Sequence, residues 1–309
     1  MKRGNFVDML SKEELRGLSR VSTWRSTASI FLDWLGIAGL FAVLLYFPHP
    51  LTYIACFILL GRQQLALAIL MHDGAHGRLH ASPRLNDYLG QMFTAAPLFF
   101  SQDSYRKFHL KHHLEPLAST DPDISLIGGY PIQLGSFLRK LLRDLSGVSY
   151  FKFIGYFFYQ PRMKKNLPAT PSSSHKRLPL AYQVFSVILV NGGLFAVLTY
   201  LGRPWFFFFF WVLPMMTILQ VLLRIRGIAE HAGYQANANQ MLCSRTVVNP
   251  LQTFFFAPHQ VNYHMEHHQY PSVPYHRLPE VHRLMKERNS LPLQNLYFGY
   301  GKVISELLR

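Results

Sequence analysis

The chain has 309 residues, half of them hydrophobic, and carries a formal net charge of +15. This composition is typical of membrane proteins. Its two cysteines, Cys56 and Cys243, exclude a disulfide framework and a thiolate metal site. A nucleic-acid partner is disfavoured, because the lysines and arginines flank apolar stretches instead of forming one stripe, a pattern that suits anionic lipid headgroups.

The N-terminal segment, residues 1–27, is predicted to be cytoplasmic and amphipathic. Ser11 followed by Glu14 is a capping-box pattern, and it opens a short helix with Leu15 and Leu18 on one side. The segment lacks the short apolar core and the small-residue cleavage site of a secretory signal. We therefore expect the apolar stretch that follows it to remain in the mature protein.

Four apolar stretches each approach the ~20 residues that a helix needs to cross ~30 Å of hydrocarbon. They cover residues 28–47, 51–71, 180–200 and 205–223. Very short turns join the first stretch to the second and the third to the fourth. This arrangement predicts two transmembrane helical hairpins.

The distribution of basic residues predicts how the hairpins are oriented. Arg203 is the one lysine or arginine in the two outer turns, so by the positive-inside rule both termini and the loop between the hairpins are cytoplasmic. The predicted fold is an all-α membrane protein in which residues 28–309 form a single domain. The loop 72–179 and the C-terminal region 224–309 form its cytoplasmic helical cap.

Two further segments are predicted from their length and composition. The apolar stretch Leu89–Phe100 is too short to cross a membrane, so it is predicted to be an interfacial or re-entrant helix. Residues 168–174 are rich in proline and serine, which predicts a flexible linker before the third apolar stretch.

Polar side chains interrupt the second apolar stretch at Arg62, Gln63 and Gln64. A buried arginine needs a partner, and at ~1.5 Å per residue Asp33 lies at a depth that the long arginine side chain reaches. We predict an ion pair between Asp33 and Arg62. The alternative is that Arg62 and the two glutamines bind backbone carbonyls or line a polar pocket.

Eight histidines form three clusters beside the apolar stretches. Their spacings of three and four place ring nitrogens on one helix face, and neutral imidazole is the commonest protein metal ligand. Eight imidazoles exceed the four ligands of a zinc site, which indicates two metals, and iron, copper, zinc and nickel all accept imidazole. The clusters are His72 with His76; His109 with His112 and His113; and His264 with His267 and His268.

Two common metal motifs do not fit these clusters. The zinc protease motif needs a glutamate immediately after its first histidine, whereas Glu266 stands two positions after His264. A soluble di-iron carboxylate bundle needs paired Glu-x-x-His motifs and further glutamates, and that pattern is also absent from the sequence.

The three clusters resemble the histidine boxes of the membrane-bound fatty acid desaturase and hydroxylase superfamily. They read His-Asp-Gly-Ala-His at 72–76, His-Leu-Lys-His-His at 109–113 and His-Met-Glu-His-His at 264–268. Flanking residues at 120–123, 262–263 and 269–274 resemble those of acyl-lipid desaturases. The resemblance covers nearly the whole chain.

This resemblance implies two iron ions on the cytoplasmic side, held by the eight clustered histidines and one more. His231, which ends the segment Gly227–His231, matches that ninth ligand. In the acyl-CoA desaturases that the chain resembles, an asparagine four residues before this histidine supports one metal through water. Gly227 stands there in this chain, so a water or another polar group must take that role.

Other polar residues near the boxes are given two interpretations each. Asp73, Asp121, Asp123 and Glu266 are candidates to accept the second N–H of a ligand imidazole, which fixes its tautomer; the alternative is turn capping. The remaining histidines are interpreted as groups behind the ligands or as structural and surface residues: His49, His80, His175, His259, His276 and His282.

The resemblance implies an O2-dependent desaturase that removes hydrogen in sequence from a fatty acyl chain, one linked to a lipid. The alternative is a hydroxylase or ketolase of the same superfamily that acts on a fatty, alkane or carotenoid substrate. A metal carrier or channel is disfavoured, because it would place histidines along the spans and not at their cytoplasmic ends.

The reaction needs two electrons from outside the chain. The sequence has no glycine-rich dinucleotide fingerprint and no haem-carrying domain, so we expect a separate donor such as a ferredoxin or a small haem protein. Basic residues of the central loop would either steer an acidic donor or contact the membrane surface. They are Arg139, Lys140, Arg143, Lys164 and Lys165.

Overall fold

A computed structural model describes residues 9–159, 177–237 and 239–309. The predicted linker at 168–174, together with Lys164, Lys165 and His175, lies outside the described residues. The described chain is mostly helical. Helices α1 to α16 are, in order, Lys12–Leu18, Thr23–Tyr46, Pro50–Ala75, Pro83–Gly90, Gln102–Leu114, Ile124–Ile127, Leu134–Leu145, Val148–Tyr159, Leu180–Tyr200, Trp205–Phe207, Leu213–Met216, Ile218–His231, Pro250–Phe256, His264–Gln269, Leu278–Glu287 and Tyr300–Glu306.

Four helical stretches in the described residues are long and apolar enough to cross a membrane, as predicted. They are α1–α2 (Lys12–Tyr46), α3, α9 and α10–α12 (Trp205–His231), the last with a π-helical turn at Phe208–Val212. Both α3 and α12 continue beyond their apolar sequence, because each added residue gains a backbone hydrogen bond whatever its side chain. That extension carries His72 and His231 on the last turns of these helices.

Helices α2, α3 and α12 share one hydrophobic core, which includes the buried side chains of Ile37, Leu60 and Leu219. Gly61 lets α3 and α12 approach closely, since a Cβ atom there would lie 2.5 Å from Cγ2 of Ile218. Small residues serve this purpose at helix contacts in membranes, where backbones pack against each other directly.

The N-terminal helix α1 begins with the predicted capping box. The Glu14 amide donates to Oγ of Ser11 over 3.1 Å, and the Ser11 amide donates to Oε2 of Glu14 over 2.8 Å. Leu18 is buried, and Leu15 packs against the same cluster as Leu18. The predicted capping box and the shared packing side of Leu15 and Leu18 are confirmed.

The predicted ion pair between Asp33 and Arg62 is wrong. Oδ2 of Asp33 lies 2.7 Å from Nε2 of His259, which comes from the C-terminal region and has a left-handed backbone with a φ of 54°. Nε of Arg62 donates to the Phe254 carbonyl over 2.9 Å. Depth along the two helices did not identify the partners of Asp33 and Arg62, because both partners come from a part of the chain more than 190 residues away.

The alternative for these polar side chains is confirmed: they bind backbone carbonyls. Nε2 of Gln63 donates to the Asp33 carbonyl over 3.1 Å, and Nε2 of Gln64 donates to the Trp211 carbonyl over 2.7 Å. Each amide therefore links α3 to a neighbouring helix within the apolar core.

The apolar stretch 89–100 continues α4 as a π-helical turn, Gln91–Ala95, and a 3-10 turn, Ala96–Leu98. It lies between α2 and α9. Nε1 of Trp34 in α2 donates to the Phe93 carbonyl over 3.0 Å, and Nδ2 of Asn191 in α9 donates to the Ala96 carbonyl over 2.8 Å.

Two short strands, which were not predicted, pair in parallel after α12. Strand β1 is Thr246–Val247, and β2 is Leu296–Tyr297. Strands of two residues show no period-two pattern in a sequence, so hydrophobic alternation cannot reveal them. The pair joins the segment that follows His231 to the segment that precedes α16.

Candidate metal centre

Four helices deliver the nine candidate histidines to one place. His72 lies in the last turn of α3 and His76 caps that helix, while α5 carries His109, His112 and His113. The end of α12 supplies His231. Helix α14 supplies His264, His267 and His268.

Each of the nine histidines contributes one ring nitrogen to one of two groups. Within each group these nitrogens all lie within 4.8 Å of one another. We call them the five-histidine cluster and the four-histidine cluster. The first contains His72, His76, His109, His113 and His267, and the second contains His112, His231, His264 and His268.

The Nε2 atoms point at one another in both clusters. In the five-histidine cluster, 2.9 Å separates His76 from His109 and 3.0 Å separates His113 from His267. Two imidazole nitrogens bound at ~2.1 Å and at right angles to one metal lie ~3 Å apart. The spacing therefore fits a shared cation.

The four-histidine cluster has the same convergence of Nε2 atoms. His264 lies 2.8 Å from His231 and 3.1 Å from His268, and His112 lies 3.3 Å from His231. In the five-histidine cluster, Nε2 of His72 is buried with no hydrogen-bond partner among the described residues. A buried nitrogen without a partner is costly in a metal-free protein, and a bound metal would satisfy it.

Burial keeps most of these imidazoles neutral. It lowers the pKa of His76 to about 3, with the positive charges of Arg78 and Arg106 adding to the effect. Burial also holds the pKa well below its ordinary value at five further positions: His109, His113, His264, His267 and His268. Imidazoles must be neutral to bind a metal. These six are already neutral at neutral pH, so metal binding does not require them to release a proton.

His112 differs from the others because it faces carboxylates. Burial lowers its pKa, but the hydrogen bond with Asp121 and the charges of Asp123 and Asp121 outweigh burial and raise the pKa. Asp121 lies 3.0 Å from Nδ1 of His112. The prediction that Asp121 accepts the second N–H of a candidate ligand is confirmed.

The other three predicted acceptors do not make this hydrogen bond. Oδ2 of Asp123 is 3.7 Å from Nδ1 of His112, and Oδ1 of Asp73 is 3.8 Å from Nδ1 of His72. Asp73 accepts from the Tyr275 amide instead. A side chain next to a ligand in sequence leaves the helix in another direction, so adjacency does not bring the two groups together.

Glu266 is the third of these acceptors, and its partners also lie away from the two clusters. Its carboxylate binds the hydroxyl of Thr246 and Nδ1 of His282. His231 has a different kind of partner behind it, since its Nδ1 lies 2.8 Å from the Cys243 carbonyl. That carbonyl fixes the tautomer with Nε2 directed into the four-histidine cluster.

Glu230 was not predicted as part of the site, although it stands directly before His231. Its Oε2 lies 3.5 Å from Nε2 of His264, and its Oε1 accepts from Nε of Arg226 over 2.7 Å. Gly227 presents no polar group, and a Cβ atom there would lie 3.0 Å from Cδ2 of Leu126. The sequence signal that could have identified Glu230 is its position directly before a predicted ligand.

The remaining histidines of the described part of the chain lie outside the two clusters. Nδ1 of His49 accepts a hydrogen bond from the Leu51 amide, and Nδ1 of His80 accepts one from the Ser82 amide. Both histidines therefore have structural roles. His259 and His282 bind carboxylates in the interior. Both ring nitrogens of His276 are buried.

A cavity of about 550 Å³ lies beside the clusters. Five of its lining residues are candidate ligands: His72, His109, His112, His231 and His264. Apolar side chains from α3, α5, α8 and α12 line much of the rest, among them Met71, Phe108, Phe153 and Leu219. The cavity therefore offers an apolar molecule a place next to the ring nitrogens.

Four apolar helices are typical of an integral membrane protein, and the two histidine clusters have a geometry that fits metal ions. The sequence matches the family "Fatty acid desaturase" over residues 48–301. The chain belongs to the fatty acid desaturase family, and it is an oxidoreductase.

Curated relatives include both desaturases and ketolases. The dihydrorhizobitoxine desaturase of Bradyrhizobium elkanii is 27% identical over 80% of this chain and 68% of its own length. A beta-carotene ketolase of Paracoccus sp. is 26% identical over 75% and 80%. The sn-1 acyl-lipid omega-3 desaturase (ferredoxin) of Synechocystis sp. is 24% identical over 91% and 79%.

Proposed function

We propose that this chain is an O2-dependent di-iron desaturase that introduces a carbon–carbon double bond into a lipid-linked fatty acyl chain. The observation that carries the proposal is the convergence of nine imidazoles, eight of them buried, in two clusters beside an apolar cavity. The nine imidazoles would hold one iron in each cluster. Imidazole is a suitable ligand for iron, and two groups of four and five nitrogens match two ions.

When bound and reduced, the two irons supply the activation of O2 that removal of hydrogen from an unactivated C–H bond requires, since no side-chain acid or base does this. The balanced reaction converts adjacent CH2 groups, O2, two electrons and two protons into a cis or trans CH=CH pair and two water molecules. The protein holds most of the imidazoles neutral, orients His112 through Asp121, and lines the reacting region with apolar side chains that exclude water.

The polar group that replaces the asparagine missing at Gly227 is, we propose, the Glu230 carboxylate. It is buried and lies 3.5 Å from Nε2 of His264 in the cluster that has one imidazole fewer. Its other oxygen is held by Arg226, which directs the carboxylate. Carboxylate oxygen is an accepted iron ligand or acceptor for iron-bound water.

The same proposal includes the membrane arrangement. Residues 28–47 with 51–71, and 180–200 with 205–223, form two hairpins with both termini on the cytoplasmic side. Residues 1–27 form the amphipathic segment, residues 28–309 the single membrane domain, and the loop and C-terminal region the cap around the irons. The basic residues outside the two outer turns support this orientation.

The substrate and donor are proposed from chemistry and from relatives. The apolar cavity suits an acyl chain, and a relative in Synechocystis is named as an acyl-lipid desaturase that uses ferredoxin. We propose a separate electron donor, a ferredoxin or a small haem protein. The second candidate function is a hydroxylase or ketolase, and similarity to a beta-carotene ketolase is the observation in its favour.

Product analysis tests the reaction. Cells that express the chain are fed acyl lipids with deuterium on the chain, and the products are examined by mass spectrometry. A desaturase removes two hydrogens or deuteriums and adds no oxygen. A product that gains oxygen and keeps its saturation would instead establish the hydroxylase or ketolase.

A pair of histidine variants separates the site from general effects on expression. His112→Ala is expected to abolish product formation and to lower bound iron, since His112 belongs to the four-histidine cluster. His80→Ala is the matched control, because Nδ1 of His80 accepts a backbone amide outside both clusters. Full activity in His112→Ala would remove it from the proposed ligand set.

A further inference from the structure

Helix α7, Leu134–Leu145, has an exposed apolar face that none of the described residues covers. Its exposed leucines are spaced by four, four and three residues, which places them on one side of the helix. They are Leu134, Leu138, Leu142 and Leu145, exposed by 52%, 48%, 65% and 48%.

The other two faces of α7 have distinct surroundings. Phe137 and Asp144 are buried against the rest of the protein. Arg139 is exposed, Nε of Arg143 donates to Oγ of Ser149 over 3.3 Å, and the positive end of Lys140 lies over the ring of Tyr130. The helix thus combines exposed apolar, buried and basic residues.

A buried ion pair fixes the position of α7. Nη2 of Arg224 in α12 donates to Oδ1 of Asp144 over 3.0 Å, and Nε of Arg224 binds Oδ2. Arg224 directly follows Leu223, where the apolar sequence of the fourth span ends. The pair therefore holds α7 at the level at which this span would leave the hydrocarbon.

Exposed apolar residues continue beside α7. Val148 and Phe151 of α8 are 42% and 63% exposed. In α13, Leu251 and Phe254 are 73% and 49% exposed, and the Phe254 carbonyl is bound by Arg62 of the second span. Helix α8 contacts α7, so Val148 and Phe151 continue the exposed apolar surface along the chain, whereas Leu251 and Phe254 add apolar surface at a separate place.

We propose that α7 lies in the membrane surface, with its leucines in the acyl region and the exposed Arg139 among anionic lipid headgroups. An amphipathic helix binds bilayers through buried apolar area and through attraction of its basic residues to anionic lipids. A bilayer also explains why the leucine face adjoins the ends of the spans. Arg139 then contacts lipid and not an electron donor.

This position has a consequence for the cavity. Asp144 of α7 and Ser149 and Phe153 of α8 line it, so one wall of the cavity stands at the lipid surface. A substrate already dissolved in the bilayer would then reach the cavity without crossing water. The position of α7 in the membrane surface is an inference beyond the proposed reaction and does not depend on it.

Nitroxide labels on the full-length protein test the proposal. The protein is placed in nanodiscs of phosphatidylcholine and phosphatidylglycerol after Cys56→Ala and Cys243→Ala. Single labels are attached through Leu138→Cys, Leu142→Cys or Arg139→Cys. Collisions with O2, which concentrates in hydrocarbon, are compared with collisions with a water-soluble nickel chelate.

Labels at positions 138 and 142 are expected to show a several-fold higher ratio of O2 to nickel accessibility than the label at 139. Higher nickel accessibility at 142 would mean that the face is in water and would overturn the proposal. Low accessibility to both reagents at 138 and 142 would also overturn it, because a protein partner or a second copy would then cover the face.

A second measurement avoids the cysteine replacements. Leu142→Trp is compared with Arg139→Trp in nanodiscs that contain brominated lipids, which quench tryptophan in the acyl region. Stronger additional quenching for Leu142→Trp is expected, and equal quenching would count against the proposal. Iron content and product formation are measured on the same samples, so failure of the proposed reaction is seen separately.

Discussion

Both carboxylate oxygens of Asp121 lie 3.0 Å from Nδ1 of His112. The carboxylate is itself held by the amides of Leu117 and Asp123, at 2.7 and 2.9 Å. His112 is therefore oriented with Nε2 toward the four-histidine cluster, where it lies 3.3 Å from Nε2 of His231. Such carboxylate partners orient a metal ligand and raise its basicity.

Replacing Asp121 is expected to weaken iron binding. Asp121→Asn removes the charge behind His112 and should lower iron affinity by ~10-fold or more, as mutations of such partners do. The measurement is the iron retained by the purified protein against increasing concentrations of a chelator. Asp123→Asn is the control, since its Oδ2 lies farther from the same nitrogen, at 3.7 Å, and equal retention in the two variants would contradict this role for Asp121.

Glu230→Gln tests the proposed role of the Glu230 carboxylate in the four-histidine cluster. Loss of the negative charge should reduce iron in that cluster while the five-histidine cluster keeps its own, so total iron falls toward about half. Elemental analysis gives the total, and Mössbauer spectra of protein loaded with 57Fe distinguish the two sites. Glu280→Gln, on the exposed side of α15, should retain all its iron. Unchanged spectra in Glu230→Gln would limit that residue to its pairing with Arg226.

A glycine pair tests the packing that positions the site. A methyl group at Gly61 meets Ile218 at 2.5 Å, whereas nothing lies within 4 Å of the same position at Gly39. Gly61→Ala should therefore destabilise the protein by ~1–3 kcal/mol through overpacking. Gly39→Ala should be neutral or slightly stabilising, because alanine favours helix. Thermal unfolding in detergent measures both, and equal midpoints would show that α3 and α12 adjust at little cost.

His276 predicts part of the pH dependence of stability. Burial, with the positive charges of Arg25 and Arg277, lowers its pKa to about 4, whereas an unfolded histidine has a pKa of ~6.5. The unfolded chain therefore binds the extra proton first as the pH falls. Stability is unaffected by this group above pH ~6.5 and is lost progressively as the pH falls toward ~4.

His276→Gln removes that proton uptake from the unfolded state. The thermal midpoint of the variant should fall less than that of the unmodified protein between pH ~7 and ~5. The comparison is made with iron bound, so that the candidate ligands do not add to the difference. Parallel decreases in the two proteins would show that His276 is protonated equally in the folded and unfolded states.

Features with a local cause were predictable from the sequence. The Ser11–Glu14 capping box depends on residues three apart, and the four apolar helices depend on continuous hydrophobic length. The partner of Asp33 was not predictable in this way. His259 reaches it across 226 positions of sequence through a left-handed turn, and neither depth nor spacing along α2 and α3 contains that information.

By itself the sequence determined that imidazoles form three clusters beside apolar stretches, because both hydrophobic length and helical spacing are local properties. Only the tertiary structure decided how they divide. His112 and His113 are neighbours in sequence, yet His112 joins His231 and His113 joins His267. Adjacent side chains leave a helix ~100° apart, so each meets whichever helix packs on its own side.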